Sequence, residues 1–244
     1  MRILVTGAAG LFGSHLLEHI FKTTDWEIVA LVRLGRIGSL RRTNEIMDDH
    51  PEWDDRIRFV WHDLRSPVNP YTASEIGDVD YVVHAAASTH VDESIKRPED
   101  FVYDNVVGTV NLLQFARTLP ALRFFHYFST DEVTGPAPEG VYFDEHAELN
   151  PTNPYSASKA GAEALTMAFA NTYRMPAFIT RTMNLLGERA STEKFLPLVI
   201  KKVLAGDELL IHSDPTRTKA GTRHYLHCRN AAAATVFLLQ NAEN

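Results

Sequence analysis

Cysteine is almost absent from this chain of 244 residues, and its single thiol, Cys228, cannot form an intrachain disulfide. Because structural disulfides belong to oxidising compartments, we expect the protein to work in a reducing one. The sequence also lacks an apolar run long enough to cross a bilayer. Its first residues, MRILVTG, reach a glycine too soon for a signal peptide. These absences predict a cytoplasmic protein that does not bind membranes.

Positive charge is also scarce, with 24 lysines and arginines against 31 acidic residues and a formal net charge of −7. This balance argues against general binding to nucleic acid or to anionic membranes. The 11 histidines show no clustered ligand spacing, so the sequence predicts no metal site. What remains is a globular chain that can bury one large domain, or a large and a small lobe.

Short apolar runs alternate with longer amphipathic ones along the first three quarters of the chain. The runs predict strands at Arg2–Thr6, Glu27–Val32, Ile57–Trp61, Tyr81–His84, Arg123–Ser129 and Ala177–Thr182. The amphipathic segments predict helices at Leu11–Phe21, Gly38–Asp48, Asn105–Leu119 and Tyr155–Tyr173. This rhythm predicts an α/β fold, a doubly wound parallel sheet covered by helices on both faces. Such sheets bind ligands beyond the carboxyl ends of their strands.

The pattern loosens from Asn184 onward. It predicts a helix at Lys194–Leu204, a short strand at Glu208–His212, a polar loop at Ser213–Thr222 and a final helix at Asn230–Leu239. We therefore predict a sheet domain over residues 1–183 and elements of a small substrate-binding lobe over residues 184–244.

A glycine-rich turn follows the first predicted strand and opens the first predicted helix. The turn contains three glycines, Gly7, Gly10 and Gly13, with Leu11 and Phe12 between the last two. The glycines would allow a tight turn whose backbone pyrophosphate could approach closely. The N–H groups of the helix N-terminus would then face the phosphates. The alternative is a purely structural turn, but the flanking strand and helix favour a dinucleotide site.

The end of the second predicted strand should meet the adenosine ribose. An acidic side chain there favours the 2′-hydroxyl of NAD, whereas arginine pairs with the 2′-phosphate of NADP. This chain has Val32 and Arg33, with Arg36 close behind and no acid, which favours NADP. The alternative is that both arginines are solvated residues of a basic loop. Asp63, just after the third strand, is placed to meet the adenine edge.

Tyr155 and Lys159 are spaced one helical turn apart, on the helix that Pro154 introduces. A nearby ammonium lowers the pKa of a tyrosine, so we expect the phenolate to take a hydroxyl proton as hydride leaves the carbon. Thr130, at the end of the fifth predicted strand, can hydrogen-bond the same hydroxyl. A lone pair of this spacing is usually a surface contact, but the glycine motif favours oxidation chemistry.

Asp131 and Glu132 add two carboxyl groups that hydride transfer alone does not need. Oxidation of a sugar at C4 makes the C5 proton acidic, so one carboxylate could remove it while a carboxylic acid protonates the departing 6-hydroxyl. Two carboxyls in a poorly solvated cleft favour one staying protonated. The alternative is that Asp131 caps a helical turn and Glu132 points to water. The chemical interpretation requires the strand to end here, since adjacent strand residues face opposite ways.

These motifs resemble the extended short-chain dehydrogenase/reductases of the NAD-dependent epimerase/dehydratase family, most of all the nucleotide-sugar 4,6-dehydratases that act on dTDP-glucose. The resemblance covers the chain from Gly7 to about Ala233. Its segments are the glycine motif, HAAA at 84–87, THVD at 89–92, NVVGT at 105–109, STDEV at 129–133, PYSASK at 154–159 and FLP at 195–197. It implies a Rossmann-type fold, in which a bound dinucleotide oxidises C4 and later returns the hydride to C6.

The resemblance also implies roles for individual residues. Thr130, Tyr155 and Lys159 would serve the oxidation, Asp131 would be the acid at the 6-hydroxyl, and Glu132 the base at C5. NAD or NADP would contact Gly7, Gly10, Leu11, Phe12, Gly13, Arg33, Arg36, Asp63, Leu64, Ala85, Ala86, Ala87, Asn105, Tyr155 and Lys159. The nucleotide-diphosphate sugar would contact Thr89, Thr130, Asn184, Lys194 and Arg223.

Three further expectations follow from the same comparison of motifs. The helices at Asn105–Leu119 and Tyr155–Tyr173 match those that form a homodimer interface in relatives. Since the chain stops at Asn244, the resemblance implies a small and incomplete C-terminal lobe. The rival functions are a nucleotide-sugar 5,6-dehydratase, an epimerase, and a cofactor-binding structural or regulatory subunit without turnover.

Overall fold

The computed structural model describes residues 1–33, 37–192, 194–211, 213, 216–218 and 220–242. Within them, six parallel strands form one sheet in the order β3-β2-β1-β4-β5-β6. The strands are β1 (Arg2–Thr6), β2 (Glu27–Val32), β3 (Ile57–Trp61), β4 (Tyr81–His84), β5 (Phe124–Thr130) and β6 (Ala177–Thr182). All six predicted strands are confirmed, the fifth with its bounds moved by one residue. This strand order is that of the Rossmann-type fold.

Helices connect the strands and cover both faces of the sheet. They are α1 (Leu11–Thr23), α2 (Ile37–Asp49), α3 (Pro70–Ile76), α4 (Val91–Lys96), α5 (Pro98–Phe101), α6 (Gly108–Ala116), α7 (Pro154–Tyr173), α8 (Phe195–Ala205) and α9 (Cys228–Asn241). The prediction of one helix over Asn105–Leu119 was wrong in part, because a π-helical segment, Val102–Val107, precedes α6. The sequence did not predict α3, α4 or α5, since each is too short to show a full amphipathic period.

The predicted strand at Glu208–His212 was wrong over 208–211, where the structure has no strand; His212 lies outside the described residues. Instead, β7 (Asn184–Leu186) pairs in parallel with β8 (Tyr225–His227). The physical reason is exposure: Leu210 and Ile211 both project into solvent, so the apolar run has no sheet partner that would bury it.

The hydrophobic core lies in two layers, one on each face of the sheet. Alternate residues of β1 divide between them, with Ile3 and Val5 in one layer and Leu4 in the other. The first layer packs against α1 and α9, the second against α6 and α7. A sheet buried on both faces explains why its strands are continuous apolar runs rather than alternating ones.

The two helices after Asn184 pack differently. Ala231, Ala232 and Val236 of α9 belong to the core layer that α1 also lines, so this helix is part of the sheet's covering. By contrast, every residue of α8 is at least partly exposed. Over the described residues, no helix has both the length and the apolar composition needed to span a membrane.

Candidate active site

The carboxyl ends of β1, β2 and β4 meet at the edge of the sheet where the strand order reverses. A cleft of about 1500 Å³ opens there. Gly7 has a φ of +69°, and a Cβ on it would lie 2.7 Å from the Ala86 nitrogen at the end of β4. A Cβ on Gly13 would overlap the carbonyl oxygen of Gly7. The turn between β1 and α1 therefore requires glycine at both positions.

The N-terminus of α1 faces this cleft. Gly10 is its N-cap, no side chain caps it, and the Gly10 nitrogen donates to the Gly7 carbonyl at 2.8 Å. Its first backbone N–H groups are thus left to bind an anion, as the pyrophosphate of a dinucleotide requires. The glycine turn, the cleft and the helix end together fit such a cofactor.

The cleft brings most of the predicted cofactor residues together. Its lining includes Gly7, Gly10, Leu11, Arg33, Asp63, Leu64, Ala85, Ala86 and Ala87, and also Thr89 and Lys194 from the predicted substrate site. Phe12 and Gly13 are buried behind it, and the Phe12 ring stacks on Phe128 with 3.9 Å between centroids. Arg36 lies outside the described residues.

An ion-pair cluster occupies the adenosine end of the cleft. The Arg33 Nη1 donates to Asp104 Oδ1 at 2.7 Å, and the Arg65 Nε donates to the same oxygen at 2.6 Å. Ser88 donates its hydroxyl to the other oxygen at 2.6 Å. Burial opposes ionisation of Asp104, but hydrogen bonds from Arg65, Ser88 and Arg33 outweigh it and hold the pKa of Asp104 at about 2. Sequence reasoning missed Asp104, which is 71 residues from Arg33 and stands in no recognisable motif.

The fifth strand ends just before Asp131 and Glu132, as their proposed acid and base roles require. Thr130 is the last residue of β5, and Asp131–Thr134 form a 3₁₀ turn directly after it. The Thr130 hydroxyl accepts from the Glu132 nitrogen at 3.3 Å and so caps this turn, while it donates to Asp131 Oδ1 at 3.2 Å. Because Thr130 serves as the cap, neither carboxyl is needed for that purpose. Asn153 donates its Nδ2 to Glu132 Oε2 at 3.3 Å.

The two carboxyls differ in their surroundings. Desolvation raises the pKa of the Asp131 carboxyl, although hydrogen bonds from Thr130 and from the backbone, and the charge of Arg223, act against it. The direction agrees with the expectation that one carboxyl stays protonated. Desolvation is the largest cause of this shift, although Asp131 as a whole residue is exposed.

Helix α7 carries the tyrosine and the lysine into this edge. Asn153 caps the helix through a capping box with Ser156, and Pro154 occupies its first turn. These two features fix the first residue of the helix at Pro154. Tyr155 is buried, and its backbone nitrogen donates to the Ser94 hydroxyl at 3.1 Å. Burial, followed by the charge of Glu132, raises the pKa of its phenol. A hydrogen bond with Thr130 acts in the opposite direction, and the charge of Asp131 adds to the increase.

Lys159 is buried one turn along the helix from Tyr155. Its Nζ donates to the Phe128 carbonyl at 2.7 Å and lies 4.3 Å from the centre of the Tyr127 ring. Burial lowers the pKa of Lys159 to about 7, and the charge of Glu163 opposes that shift. The Tyr155 pKa is thus raised rather than lowered as expected, because burial of the phenol, followed by the charge of Glu132, disfavours the phenolate.

A buried chain of hydrogen bonds joins the sheet to this helix. His84 Nδ1 lies 2.7 Å from the Thr6 hydroxyl, and His84 Nε2 lies 2.9 Å from the Thr109 hydroxyl. Asn105 then donates to the Ser158 hydroxyl at 2.8 Å. Burial lowers the pKa of His84 to about 3, so the imidazole is neutral at physiological pH. Asn105, which is predicted to touch the cofactor, binds through its amide the backbone of Ser88, a residue that lines the cleft, at 2.8 and 3.0 Å.

The predicted substrate residues lie nearer the surface. Asn184 begins β7, and Lys194 is the N-cap of α8 at the cleft. Arg223 is exposed, yet its charge acts on the carboxyl of Asp131. The structure thus places Lys194 in the lining of the cleft, whereas the described hydrogen bond of the Arg223 side chain goes to the Thr222 carbonyl at 2.9 Å.

Comparison with known proteins identifies the family. The sequence pattern of the NAD dependent epimerase/dehydratase family matches residues 3–244. The chain belongs to this family. Among curated relatives it is 35% identical over 246 residues to the trifunctional UDP-glucose 4,6-dehydratase/UDP-4-keto-6-deoxy-D-glucose 3,5-epimerase/UDP-4-keto-L-rhamnose-reductase RHM1 of Arabidopsis thaliana, covering 99% of this chain and 35% of that protein. The chain thus spans about a third of this relative's length.

Solved structures of other family members share the fold. The dTDP-glucose 4,6-dehydratase DesIV of Streptomyces venezuelae, crystallised with NAD and TYD, has a TM-score of 0.84 and 33% identity, covering 98% of this chain and 72% of its own. The UDP-glucuronic acid 4-epimerase of Bacillus cereus, in complex with UDP-glucuronic acid and NAD, has a TM-score of 0.85 and 28% identity, covering 100% and 74%. The same family fold is therefore found with both dehydratase and epimerase chemistry.

Proposed function

We propose that this chain carries the catalytic machinery of a nucleotide-sugar 4,6-dehydratase. One observation carries the proposal. The turn after β5 presents Asp131 and Glu132 beside Tyr155, close enough for both carboxylates to act on the phenol. Oxidation at C4 needs the tyrosine, and elimination of water needs a second acid and base, so the two sets of groups belong together.

The dinucleotide cleft supports the first half of this chemistry. When bound, NAD or NADP would accept hydride from C4 and return it to C6. Tyr155 acts here as the phenolate, so it must first lose the proton that burial holds on the phenol; it then takes the proton of the 4-hydroxyl, and Thr130, which interacts with the phenol, orients that hydroxyl. Lys159, held on the Phe128 carbonyl, places a buried amine 4.3 Å from the centre of the Tyr127 ring. Its pKa of about 7 lets it exchange a proton near neutral pH.

The carboxyl pair supports the second half. Glu132, positioned by Asn153, removes the C5 proton that the C4 ketone has made acidic. Asp131, whose raised pKa favours the protonated form, gives its proton to the departing 6-hydroxyl. Water is lost between C5 and C6, and the product is a 4-keto-6-deoxy sugar.

Isotope tracing tests the reaction class. The chain is incubated with dTDP-glucose and UDP-glucose carrying deuterium at C4, and the products are read by mass spectrometry and NMR. We expect a product lighter by one water with the label at C6. An unchanged mass with inverted C4 would establish an epimerase instead. Loss of water without label at C6 would indicate a 5,6-dehydratase, and binding without any turnover a non-catalytic subunit.

A pair of variants tests the carboxyls directly. In Asp131→Asn and Glu132→Gln, oxidation at C4 should persist as dinucleotide absorbance at 340 nm, while water loss falls by roughly 10²–10⁴-fold. The matched control is Glu139→Gln, an exposed acid a few residues away, which should leave both steps unchanged. Equal loss of both steps in the two test variants would contradict the division of labour.

The domain division and the substrate contacts remain part of this proposal. Residues 1–183 would carry cofactor and catalysis, and the segment from 184 would bind a nucleotide-diphosphate sugar, with Asn184 on the diphosphate and Lys194 and Arg223 on its nucleotide end. The position of Lys194 at the cleft supports a substrate that spans from there to Asp131. The single cysteine, which is buried, supports a cytoplasmic setting.

We also propose a homodimer through the π-helical segment, α6 and α7. Val102 and Tyr103 on the first, and Met167 and Tyr173 on α7, are exposed apolar side chains on these elements. Sedimentation equilibrium should give twice the chain mass, and Met167→Lys should shift the equilibrium toward monomer. A wild-type monomer at micromolar concentration would exclude this interface.

A further inference from the structure

The ion-pair cluster at the adenosine end bears on which dinucleotide the cleft accepts. Arg33 directly follows β2, where the side chain that meets the adenosine ribose is expected in this fold. A free guanidinium there would favour the 2′-phosphate of NADP. In this structure the guanidinium is bound to Asp104, whose side chain is only 8% exposed. The chemistry of Arg33 therefore depends on a residue from a different element.

Charge around the pair is balanced by further acids. Asp63 Oδ1 lies 3.8 Å from the Arg33 Nη1, and Asp100 Oδ1 lies 3.3 Å from the Arg65 Nη2. Arg33 and Arg65 thus face three carboxylates, those of Asp63, Asp100 and Asp104. Arg97, which pairs with Asp100 at 3.4 Å, brings the cluster to neutrality rather than to a positive charge.

The neutral charge of this cluster would disfavour binding of a 2′-phosphate. It carries about −1.5 to −2 charges at neutral pH, so it would have to displace Asp104 from Arg33 or be held against a buried carboxylate. A 2′-hydroxyl carries no charge and imposes neither cost. Another cation of the cleft, Arg42, donates to the carbonyls of Arg189 at 2.7 Å and Ala9 at 3.4 Å.

We propose that Asp104 is the specificity-determining residue of the dinucleotide site, holding Arg33 in a neutral pair and thereby favouring NAD over NADP. The inference rests on the proposed function, since it presupposes that the cleft binds a nicotinamide dinucleotide. It changes the interpretation of Arg33, which the sequence alone connected to NADP. Ser88, which also bonds Asp104, ties the same carboxylate to the loop after β4.

Titration calorimetry of NAD and NADP, at one fixed ionic strength, tests this without any turnover. We expect the wild type to bind NAD at least ~10-fold more tightly than NADP. Asp104→Asn keeps the shape and removes the charge, so it should move the ratio toward NADP by ~10-fold or more. Asp78→Asn, which removes an exposed acid that is not among the residues lining the cleft, is the control and should move the ratio less than ~3-fold.

Arg33→Gln keeps the test decisive even where Asp104→Asn does not fold. If Asp104 already neutralises Arg33, losing that arginine changes NADP affinity by less than ~3-fold in the wild type. In Asp104→Asn the same substitution should cancel the gain. Three results would each overturn this inference but leave the proposed dinucleotide site in place. They are a wild type that prefers NADP, a strong loss of NADP binding in Arg33→Gln, and an unmoved ratio in Asp104→Asn. Failure of the wild type to bind either dinucleotide would remove the proposed site as well.

Discussion

The strand ends of the sheet and the segment after residue 184 handle polar groups in opposite ways. At the strand ends, charged and polar side chains such as Lys159 and His84 are buried, and each has a bonded partner. After residue 184, Arg223 is exposed, and α8 leaves Leu204 84% exposed. Of the groups proposed for proton transfer, Tyr155 and Lys159 are thus preorganised by the core, while Asp131 is exposed; the groups proposed for substrate choice lie on a loosely packed segment.

The sharpest contrast should come from Tyr155→Phe. Removing the phenolic oxygen deletes the proposed base and should lower turnover about 10³-fold. It keeps the ring, so the fold and dinucleotide affinity should be unchanged. Steady-state kinetics and calorimetry measure the two quantities. Tyr173→Phe, near the exposed end of the same helix, should retain full activity; more than a tenth of wild-type turnover in Tyr155→Phe would dismiss its role.

Two glycines with the same backbone conformation, one in each region, differ in the space that a Cβ would have. Gly7 and Gly206 have φ values of +69° and +71°, so alanine strains either backbone by about 1–2 kcal/mol. Only at Gly7 would the new Cβ meet backbone, 2.7 Å from the Ala86 nitrogen; at Gly206 nothing lies within 4 Å. Gly7→Ala should therefore lower the free energy of unfolding by at least about 2 kcal/mol more than Gly206→Ala, and weaken dinucleotide binding. Urea unfolding of the two variants decides this, and equal losses would count against the close approach.

The buried lysine predicts a pH dependence of stability. Its folded pKa of about 7 lies below the ordinary value of 10.5, so between these values the unfolded chain binds a proton that the folded chain does not. The contribution to stability therefore rises from pH 7 to 10.5, by at most about 1.4 kcal/mol per unit, and is lost as pH falls through that window. Lys159→Met should abolish this component in urea unfolding at pH 7 to 10. Lys201→Met, on exposed α8, should leave the slope as it is.

The smallest effect should lie on α8. Leu204→Gln exchanges one largely exposed side chain for another and should change the free energy of unfolding by less than about 0.5 kcal/mol. Leu112→Ala, a fully buried leucine of α6, should cost about 2–5 kcal/mol. Should Leu204→Gln destabilise the chain as much as Leu112→Ala, the contrast between the two regions would disappear.

The sequence predicted the inner strands β1, β2 and β4 well because they are buried on both faces and therefore have continuous apolar runs. It was less accurate where regular structure depends on a partner. The run near Leu210 forms no strand over 208–211, and Asn184–Leu186 forms one only because Tyr225–His227 lies beside it. Short helices such as α4 escaped prediction, since six residues hold too little periodicity.

Sequence spacing alone determined the glycine turn, the helix start at Pro154, the i, i+4 pair of Tyr155 and Lys159, and the adjacency of Asp131 and Glu132, because each is a local relation along the chain. Only the tertiary structure decided which charges face one another. It buried Tyr155 and placed Glu132 near it, which raises rather than lowers the phenol's pKa, and it placed Asp104 on Arg33 from 71 residues away. The reason is physical: burial and through-space charge set protonation and specificity, and neither is encoded in the distance between residues along the chain.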